Sequence, residues 1–189
     1  MMSAPLPTIR KAKKVQGKSL TFRDATLGDA AFILSLRTDV DKSRYLSPVS
    51  PELQDQQQWL QGYAKAQDQA YFIIRHEGQP IGTVRLYDPQ GSSFCWGSWV
   101  LADTRPRYAA LESALMVYAF AVDFLGFTES HFDVRRGNEK VCQFHERLGA
   151  VCISETERDL YYRMDKSAID SARNKYVQFL DGTVQVEFA

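Results

Sequence analysis

The sequence has little of the material from which disulfide-linked or zinc-binding domains are built. Its 189 residues include three cysteines and three histidines. Cys95, Cys142 and Cys152 show no CxxC spacing and no accompanying histidine pair. An odd number of isolated cysteines indicates neither a disulfide framework nor a zinc site. We therefore expect free thiols and no bound metal.

The sequence also lacks an excess of charge of either sign and any long apolar run. Lysine plus arginine and aspartate plus glutamate balance at 23 each, so no overall field favours nucleic acid, a membrane surface or a polyanion. No stretch approaches the roughly 20 apolar residues of a membrane span, and the basic start has no apolar segment typical of a signal peptide. These absences predict a cytoplasmic protein without nucleic-acid or membrane partners.

The apolar content, at 44%, is enough for one core in a chain of this length. Residues 1–17 are basic and have no periodic apolar positions, which favours a mobile arm. Residues 18–166 are expected to form the folded domain. Residues 167–189 form an extension without an assigned role, in which one short helix is predicted around Tyr176–Leu180.

Apolar periodicity predicts the element order β-α-α-β-β-β-α-β-α-β-β. Three consecutive hairpin strands precede a long buried helix, predicted as unbroken from Ala109 to Leu125 and ended by Gly126. Strand–helix–strand units follow it. This order indicates an α+β fold, an α/β sandwich with a mixed, mostly antiparallel sheet and helices on both faces.

Two segments have a pattern with chemical meaning. The first reads Arg105-Pro-Arg-Tyr-Ala-Ala110 and opens the long helix after a strand that ends at Leu101. Unpaired N–H groups and the helix dipole favour an anion at such a position, and Arg105 and Arg107 add positive charge. The second reads Asn138-Glu-Lys-Val-Cys-Gln-Phe-His-Glu-Arg-Leu-Gly-Ala150, a predicted helix that follows Asn138, a residue type suited to capping it. Taken alone, the first segment could equally be a turn with a basic rim, and Asn138 an ordinary cap.

The element order and these two segments together resemble the GNAT superfamily of acetyl-CoA-dependent acetyltransferases, over roughly residues 19–165. The resemblance is to the branch with ribosomal-protein N-terminal and amino-sugar N-acetyltransferases. It implies that acetyl-CoA is the co-substrate and that the loop holds its pyrophosphate. The loop departs from the family's Gln/Arg-x-x-Gly-x-Gly/Ala pattern, because Tyr108 replaces the first glycine and its Cβ limits close backbone approach.

The resemblance also assigns residues to the coenzyme and to catalysis. His145 takes the place of a family tyrosine that protonates the departing thiolate. An imidazolium can do the same, since its ordinary pKa lies near 6.5. The alternative is a half-exposed structural histidine at the edge of the buried stripe of its helix. The implied coenzyme contacts are Trp99, Val100, Leu101, Arg105, Arg107, Tyr108, Ala109, Ala110 and Asn138.

For the acceptor, the resemblance points to the region with Arg37, Asp39, Arg44, Tyr45, Trp59 and Tyr63. The implied contacts are Arg44, Tyr45 and Trp96. The alternatives are a solvated charged loop for Arg44 and Tyr45 and a core or pocket-wall aromatic for Trp96. Arg44 could pair with a phosphate or carboxylate, and Tyr45 with a sugar or base. No general base is chosen, although Ser98 and Asp103 lie nearby in sequence. Cys142 has no paired histidine, which argues against an acyl-enzyme.

The expected function is direct acetyl transfer to a primary amine. The amine belongs to a small molecule, with an amino sugar as one candidate, or to a protein N-terminus. The alternative is an inactive GNAT-fold domain that binds acyl-CoA or a protein partner. A homodimer is left open.

Overall fold

The computed structural model describes residues 4–189 and contains one continuous sheet of nine strands. The strands are β1 (Ala12–Gln16), β2 (Leu20–Asp24), β3 (Ala70–His76), β4 (Gln79–Gln90), β5 (Ser93–Leu101), β6 (Glu129–Arg135), β7 (Val151–Glu155), β8 (Asp159–Met164) and β9 (Gln185–Phe188). The helices are α1 (Ala30–Thr38), α2 (Val40–Ser43), α3 (Leu53–Lys65), α4 (Ala109–Ala119), α5 (Glu139–Leu148) and α6 (Lys166–Lys175).

The strand order across the sheet is β7-β8-β6-β5-β4-β3-β2-β1-β9. Only the β5–β6 pair is parallel, and the other neighbouring pairs are antiparallel. α1 and α3 pack on one face over Tyr71 and Ile73, while α4 packs in the main core on the other face. The predicted mixed, mostly antiparallel sheet with helices on both faces is confirmed.

α4 is buried on nearly every side because its residues are almost all apolar. Its one charged residue, Glu112, accepts backbone hydrogen bonds from Ser19 (2.5 Å) and Leu20 (2.9 Å). The buried carboxylate thus fixes the start of β2 against the helix, since a buried charge needs such partners. The predicted unbroken helix changes to a π-helical turn over Phe120–Phe124, and Gly126 follows with a φ of +86°.

The expectation of a mobile arm over residues 1–17 is wrong for residues 12–16, which form β1. This strand lies between β2 and β9, and Ala12 and Val15 are fully buried. One partner, β2, is adjacent in the chain, but the buried residues Ala12 and Val15 are three positions apart, with a register shift against β9 between Ala12 and Lys14. The period-two alternation typical of a strand is therefore absent. Residues 1–3 of the predicted arm lie outside the described residues.

The helix predicted around Tyr176–Leu180 lies earlier in the chain. α6 ends at Lys175, and residues 176–179 form turns. The side chain of Asp165 caps α6 by accepting a hydrogen bond from the N–H of Ala168 at 2.8 Å. The C-terminal segment then adds β9 to the sheet. Among the described residues, no helix has the length and apolar character needed to cross a membrane.

Candidate functional site

The central feature of the sheet is an opening between β5 and β6. The two strands pair only from Ser93 to Cys95 on β5. Beyond that point, the β5 backbone up to Leu101 is paired with β4 alone. A register shift accompanies the opening, and Ser98 adopts a φ of +47°. One edge of β5 therefore offers free backbone N–H and C=O groups.

The register shift at Ser98 forms a bulge in β5, and residues of β4 stabilise it. The Thr83 hydroxyl donates a 2.8 Å hydrogen bond to the Ser98 carbonyl. The neighbouring Gly82 is required by close approach, because a Cβ there would lie 2.4 Å from the Val100 carbonyl oxygen. These β4 residues hold β5 in its opened form.

A cavity of about 450 Å³ lies at this opening, within the usual range for small-molecule sites. It joins the β5–β6 gap to the sheet face beneath α1 and α3. Its lining residues are Ile33, Arg37, Tyr45, Leu46, Ser47, Val49, Gln56, Trp59, Tyr71, Arg85, Tyr87, Trp96, Gly97, Ser98, Trp99, Phe132, Asp133, Val134, Arg135, Asn138, Val141, His145 and Asp159.

The structure brings five of the sequence-predicted site residues into this cavity, namely Tyr45, Trp96, Trp99, Asn138 and His145. Asn138 precedes α5, but its side chain makes no capping hydrogen bond. The alternative of an ordinary side-chain cap is therefore wrong in this structure. The amide of Asn138 is free to contact a ligand.

The remaining predicted residues do not line the cavity. These are Arg44, Val100, Leu101, Arg105, Arg107, Tyr108, Ala109 and Ala110. The Arg105 guanidinium donates to the Ala102 carbonyl at 3.0 Å. The carboxylate of Asp103, which is 86% exposed, pairs with Lys42 at 2.9 Å. Asp103, considered above as a base, thus lies outside the cavity.

The backbone at Tyr108 does not require glycine, the residue that the family pattern has at this position. Its φ of −82° and ψ of −7° lie in the right-handed helical region, which any residue adopts. Its hydroxyl forms a 3.0 Å hydrogen bond with Nε2 of His76. The ring is therefore anchored on β3.

His145 is more buried than the sequence indicates, with 5% of its surface exposed. Its ring centroid lies 4.2 Å from that of Phe132 and 5.2 Å from that of Trp96. Nδ1 is buried and has no hydrogen-bond partner. Burial lowers the pKa of His145 to about 3, because a low-dielectric surrounding disfavours the charged form. The ring is neutral at neutral pH, so the predicted imidazolium acid is not the form present, and the half-exposed alternative is also wrong.

The cavity contains a carboxylate that the sequence reasoning missed. Asp133 follows Phe132 on β6 and so points to the opposite face of the sheet, toward the α1–α3 side. Asp133 is exposed over part of its surface. Partial burial of its carboxyl raises the pKa of Asp133, and the charge of Asp159 raises it further, against the opposing charge of Arg135. Asp133 had no distinctive signal in the sequence, because it is one of the polar residues that alternate with buried residues such as Phe132 and Val134 along β6.

Two further arginines lie on the α1–α3 side of the cavity, and neither was among the predicted substrate contacts. Arg85 on β4 and Arg37 on α1 both line the cavity. Arg85 lies between the rings of Tyr87 and Trp59, with its Cζ 4.5 Å and 5.3 Å from their centroids. Predicted Arg44 instead lies over the Tyr45 ring, 5.3 Å from its centroid.

With this geometry in place, the comparisons with known proteins identify the family. Residues 19–151, more than half of the chain, match the model of the acetyltransferase (GNAT) domain. The chain belongs to the GNAT acetyltransferase family. This confirms the resemblance stated from the sequence, and the enzyme class is that of the N-acetyltransferases. No curated protein matches the chain significantly.

Solved structures of other GNAT proteins are similar to this one. Apo FdhC, described as a nucleotide-linked sugar GNAT, is 38% identical with a TM-score of 0.79, and the match covers 88% of this chain and 98% of FdhC. A GCN5-related N-acetyltransferase from Brucella melitensis is 15% identical, with a TM-score of 0.76 and coverage of 94% and 90%. Spermidine N-acetyltransferase from Vibrio cholerae, in complex with CoA and spermine, is 17% identical, with a TM-score of 0.70 and coverage of 80% and 98%. The last two show the fold alone.

Within residues 4–189, no group of three or more His, Cys, Asp or Glu side chains is arranged to hold a metal ion. Cys142 is buried, and it is absent from the cavity lining. The site therefore consists of the open β5 edge, an aromatic wall around His145, and a charged acceptor side.

Proposed function

We propose that this GNAT protein transfers an acetyl group from acetyl-CoA to the primary amine of a nucleotide-linked amino sugar. The observation that carries the proposal is one cavity that joins the open β5 edge to an acceptor side with Arg37, Arg85 and Asp133. The likeness to FdhC, at 38% identity, supports a nucleotide-linked sugar over the protein N-terminus that the sequence left open.

The coenzyme fits the residues at the β5–β6 opening. The unpaired backbone of Trp99, Val100 and Leu101 can form hydrogen bonds with the amides of the pantetheine arm. The arm would then pair with the open edge of β5 as a neighbouring strand does. The side-chain amide of Asn138, which makes no capping hydrogen bond, lies at the same opening.

The pyrophosphate has a suitable position at the start of α4. Arg105 and Arg107 provide positive charge, and the first N–H groups of the helix, from Tyr108 to Ala110, favour an anion. Because the Tyr108 hydroxyl is bonded to His76, its ring is fixed on β3. These assignments are part of the proposal.

Transfer requires an amine without its proton, because an ammonium has no lone pair for attack. When bound, acetyl-CoA supplies the thioester, in which the C–S bond breaks as the N–C bond forms. An ammonium loses two protons on becoming an amide. Solvent takes the first before attack, and we assign the second, released from nitrogen as the N–C bond forms, to the carboxylate of Asp133, which lies on the acceptor side of the opening. The raised pKa of Asp133 makes it a better base than an ordinary aspartate.

His145 keeps a catalytic role in this proposal, but with a changed chemistry. Since burial keeps its imidazole neutral, the ring donates an N–H hydrogen bond to the departing sulfur instead of transferring a proton as an imidazolium. The thiolate then takes its proton from solvent. Hydrogen-bond donors aimed at developing negative charge are effective in such enclosed sites.

The test is thiol release from acetyl-CoA with four acceptor classes, namely nucleotide-linked amino sugars, free amino sugars, polyamines and peptides with free N-termini. We expect the highest kcat/KM with a nucleotide-linked amino sugar. A peptide as the best acceptor would contradict the proposed acceptor. Acetyl-CoA binding without turnover on any amine would favour the inactive-domain alternative.

A further inference from the structure

Two of the three arginines that line the cavity, Arg37 and Arg85, have no carboxylate partner. Among the described residues, no acidic oxygen lies within 4 Å of either guanidinium, whereas Arg135 in the same cavity pairs with Asp159 at 2.8 Å. Arg85 donates from Nε and Nη2 to a neutral acceptor, the Gln69 side-chain oxygen, at 3.0 and 2.7 Å.

The Arg85 guanidinium is partly removed from water, and no carboxylate balances its charge. Burial lowers the pKa of its guanidinium, because removal from water disfavours the charged form. The rings of Tyr87 and Trp59 hold the planar group in place. A charge kept in a cavity under these conditions favours an anionic ligand.

Arg37 approaches the same region from α1. Its Nη2 donates to the Ser47 carbonyl at 3.0 Å, and its Nε is buried with no hydrogen-bond partner. Burial raises the pKa of Tyr71, and the charges of both Arg37 and Arg85 oppose that rise. Both guanidiniums therefore lie near this one phenol, on the floor of the cavity.

We propose that Arg37 and Arg85 form an anion-binding subsite that takes the diphosphate of the acceptor. This deepens the proposed function and rests on it for the nature of the acceptor. Guanidinium groups match phosphate oxygens in geometry as well as charge. Two unpaired arginines at the acceptor side would also repel a polyamine, so the subsite determines specificity by attraction and by repulsion.

The binding test uses UDP, dTDP and inorganic pyrophosphate as probes, measured by calorimetry on the whole protein. Arg85→Gln and Arg37→Gln should each weaken UDP binding by about tenfold to a hundredfold, as expected for loss of one charge-assisted contact. Arg85→Lys, which keeps the charge, should recover part of the affinity. The control is Arg75→Gln, at an arginine of β3 outside the cavity, which should bind UDP like the wild type.

The kinetic test separates this subsite from the rest of the function. With a nucleotide-linked amino sugar, Arg85→Gln should raise the acceptor KM by about tenfold or more and leave the acetyl-CoA KM unchanged. With the same amino sugar lacking its nucleotide, wild type and variant should have equal kcat/KM.

The outcomes for the subsite and for the proposed function are distinct. If wild type binds UDP through Arg37 and Arg85 but acetylates no amine, the subsite stands and the proposed function fails. If wild type turns over while both Gln variants keep wild-type UDP affinity and acceptor KM, the subsite is overturned. Absence of UDP and pyrophosphate binding to wild type would overturn it as well.

Discussion

Replacing His145 with leucine should lower activity without lowering stability at neutral pH. Its Nδ1 is buried without a partner, and such an unpaired polar atom costs about 1–3 kcal/mol. Leucine has a similar volume and no polar atom, so the change removes that cost and loses some ring packing against Phe132. We expect His145→Leu to be at least as stable as the wild type near pH 7.5, by up to about 3 kcal/mol. Its Tm should rise by up to about 10 °C, at roughly 2–4 °C per kcal/mol.

The pH dependence makes the prediction sharper. Below about pH 6.5 the unfolded chain binds a proton at this histidine, but the folded chain does not until about pH 3. Unfolding therefore takes up a proton in this window, and wild-type stability falls by about 1.4 kcal/mol per pH unit as pH drops. At about pH 5 the wild type should have lost about 2 kcal/mol that His145→Leu retains. Urea unfolding at several pH values measures this difference directly.

The matched control is His131→Leu. Nδ1 of His131 lies 2.7 Å from the Ser93 hydroxyl, and its Nε2 lies 3.3 Å from an Asp88 carboxylate oxygen. The same substitution there removes both hydrogen bonds, leaves Ser93 and Asp88 without their histidine partner, and should destabilise the fold by about 1–2 kcal/mol. If the two variants lose equal stability at neutral pH, the reasoning about His145 is refuted. In the activity assay, His145→Leu should lower kcat by about 10².

Three further substitutions test the base, the core and the bulge. Asp133→Asn should lower kcat by about 10² or more, and in wild type kcat should fall on the acid side at a higher pH than for an ordinary aspartate, as a pH–rate profile will show. Glu112→Ala leaves two backbone N–H groups of β2 without their acceptor and should cost about 3 kcal/mol, measured by urea unfolding. Gly82→Ala forces a Cβ against the Val100 carbonyl and should cost about 1–3 kcal/mol and raise the acetyl-CoA KM. Gly62→Ala, where a Cβ meets nothing within 4 Å, should instead stabilise α3 by about 0.5–1 kcal/mol.

Controls for the first two substitutions lie on exposed helix surface. Asp55→Asn on α3 and Glu139→Ala on α5 change the same residue types at exposed positions and should leave kcat and stability near wild type. Full activity in Asp133→Asn would remove that residue from the proposed chemistry. Wild-type stability in Glu112→Ala would mean that the buried carboxylate is not needed to position β2.

The elements from β2 to β8 were predictable because each has a local signal. Alternating apolar residues identify the strands, and Gly126 and Gly149 end helices at positive φ, as their place after apolar helices predicts. β1 was missed because its buried residues, Ala12 and Val15, do not alternate, and β9 because its only strand partner, β1, lies at the other end of the described chain. A short basic segment such as Lys11–Lys14 reveals no strand until its partner is known.

The site was predictable only where a family motif marks it. Asn138 and His145 follow from the motif, and both line the cavity. The charge state of His145 depends on rings from β5 and β6 that close over it, which no helix pattern contains. Arg85 and Asp133 belong to no motif, and their face of the sheet is set by strand register. A polar residue inside a largely buried strand was a local signal for Arg85, whereas Asp133 lies on the polar face of an alternating strand and had no such signal.

Product analysis after incubation with acetyl-CoA and a nucleotide-linked amino sugar tests the proposed acetyl transfer. The acceptor should gain one acetyl group on its amine, with one CoA thiol released for each acetyl group transferred. Asp133→Asn should form this product far more slowly while still binding acetyl-CoA. No acetylated sugar nucleotide from the wild type, or acetylation at a hydroxyl group instead of the amine, would show that the proposed reaction is wrong.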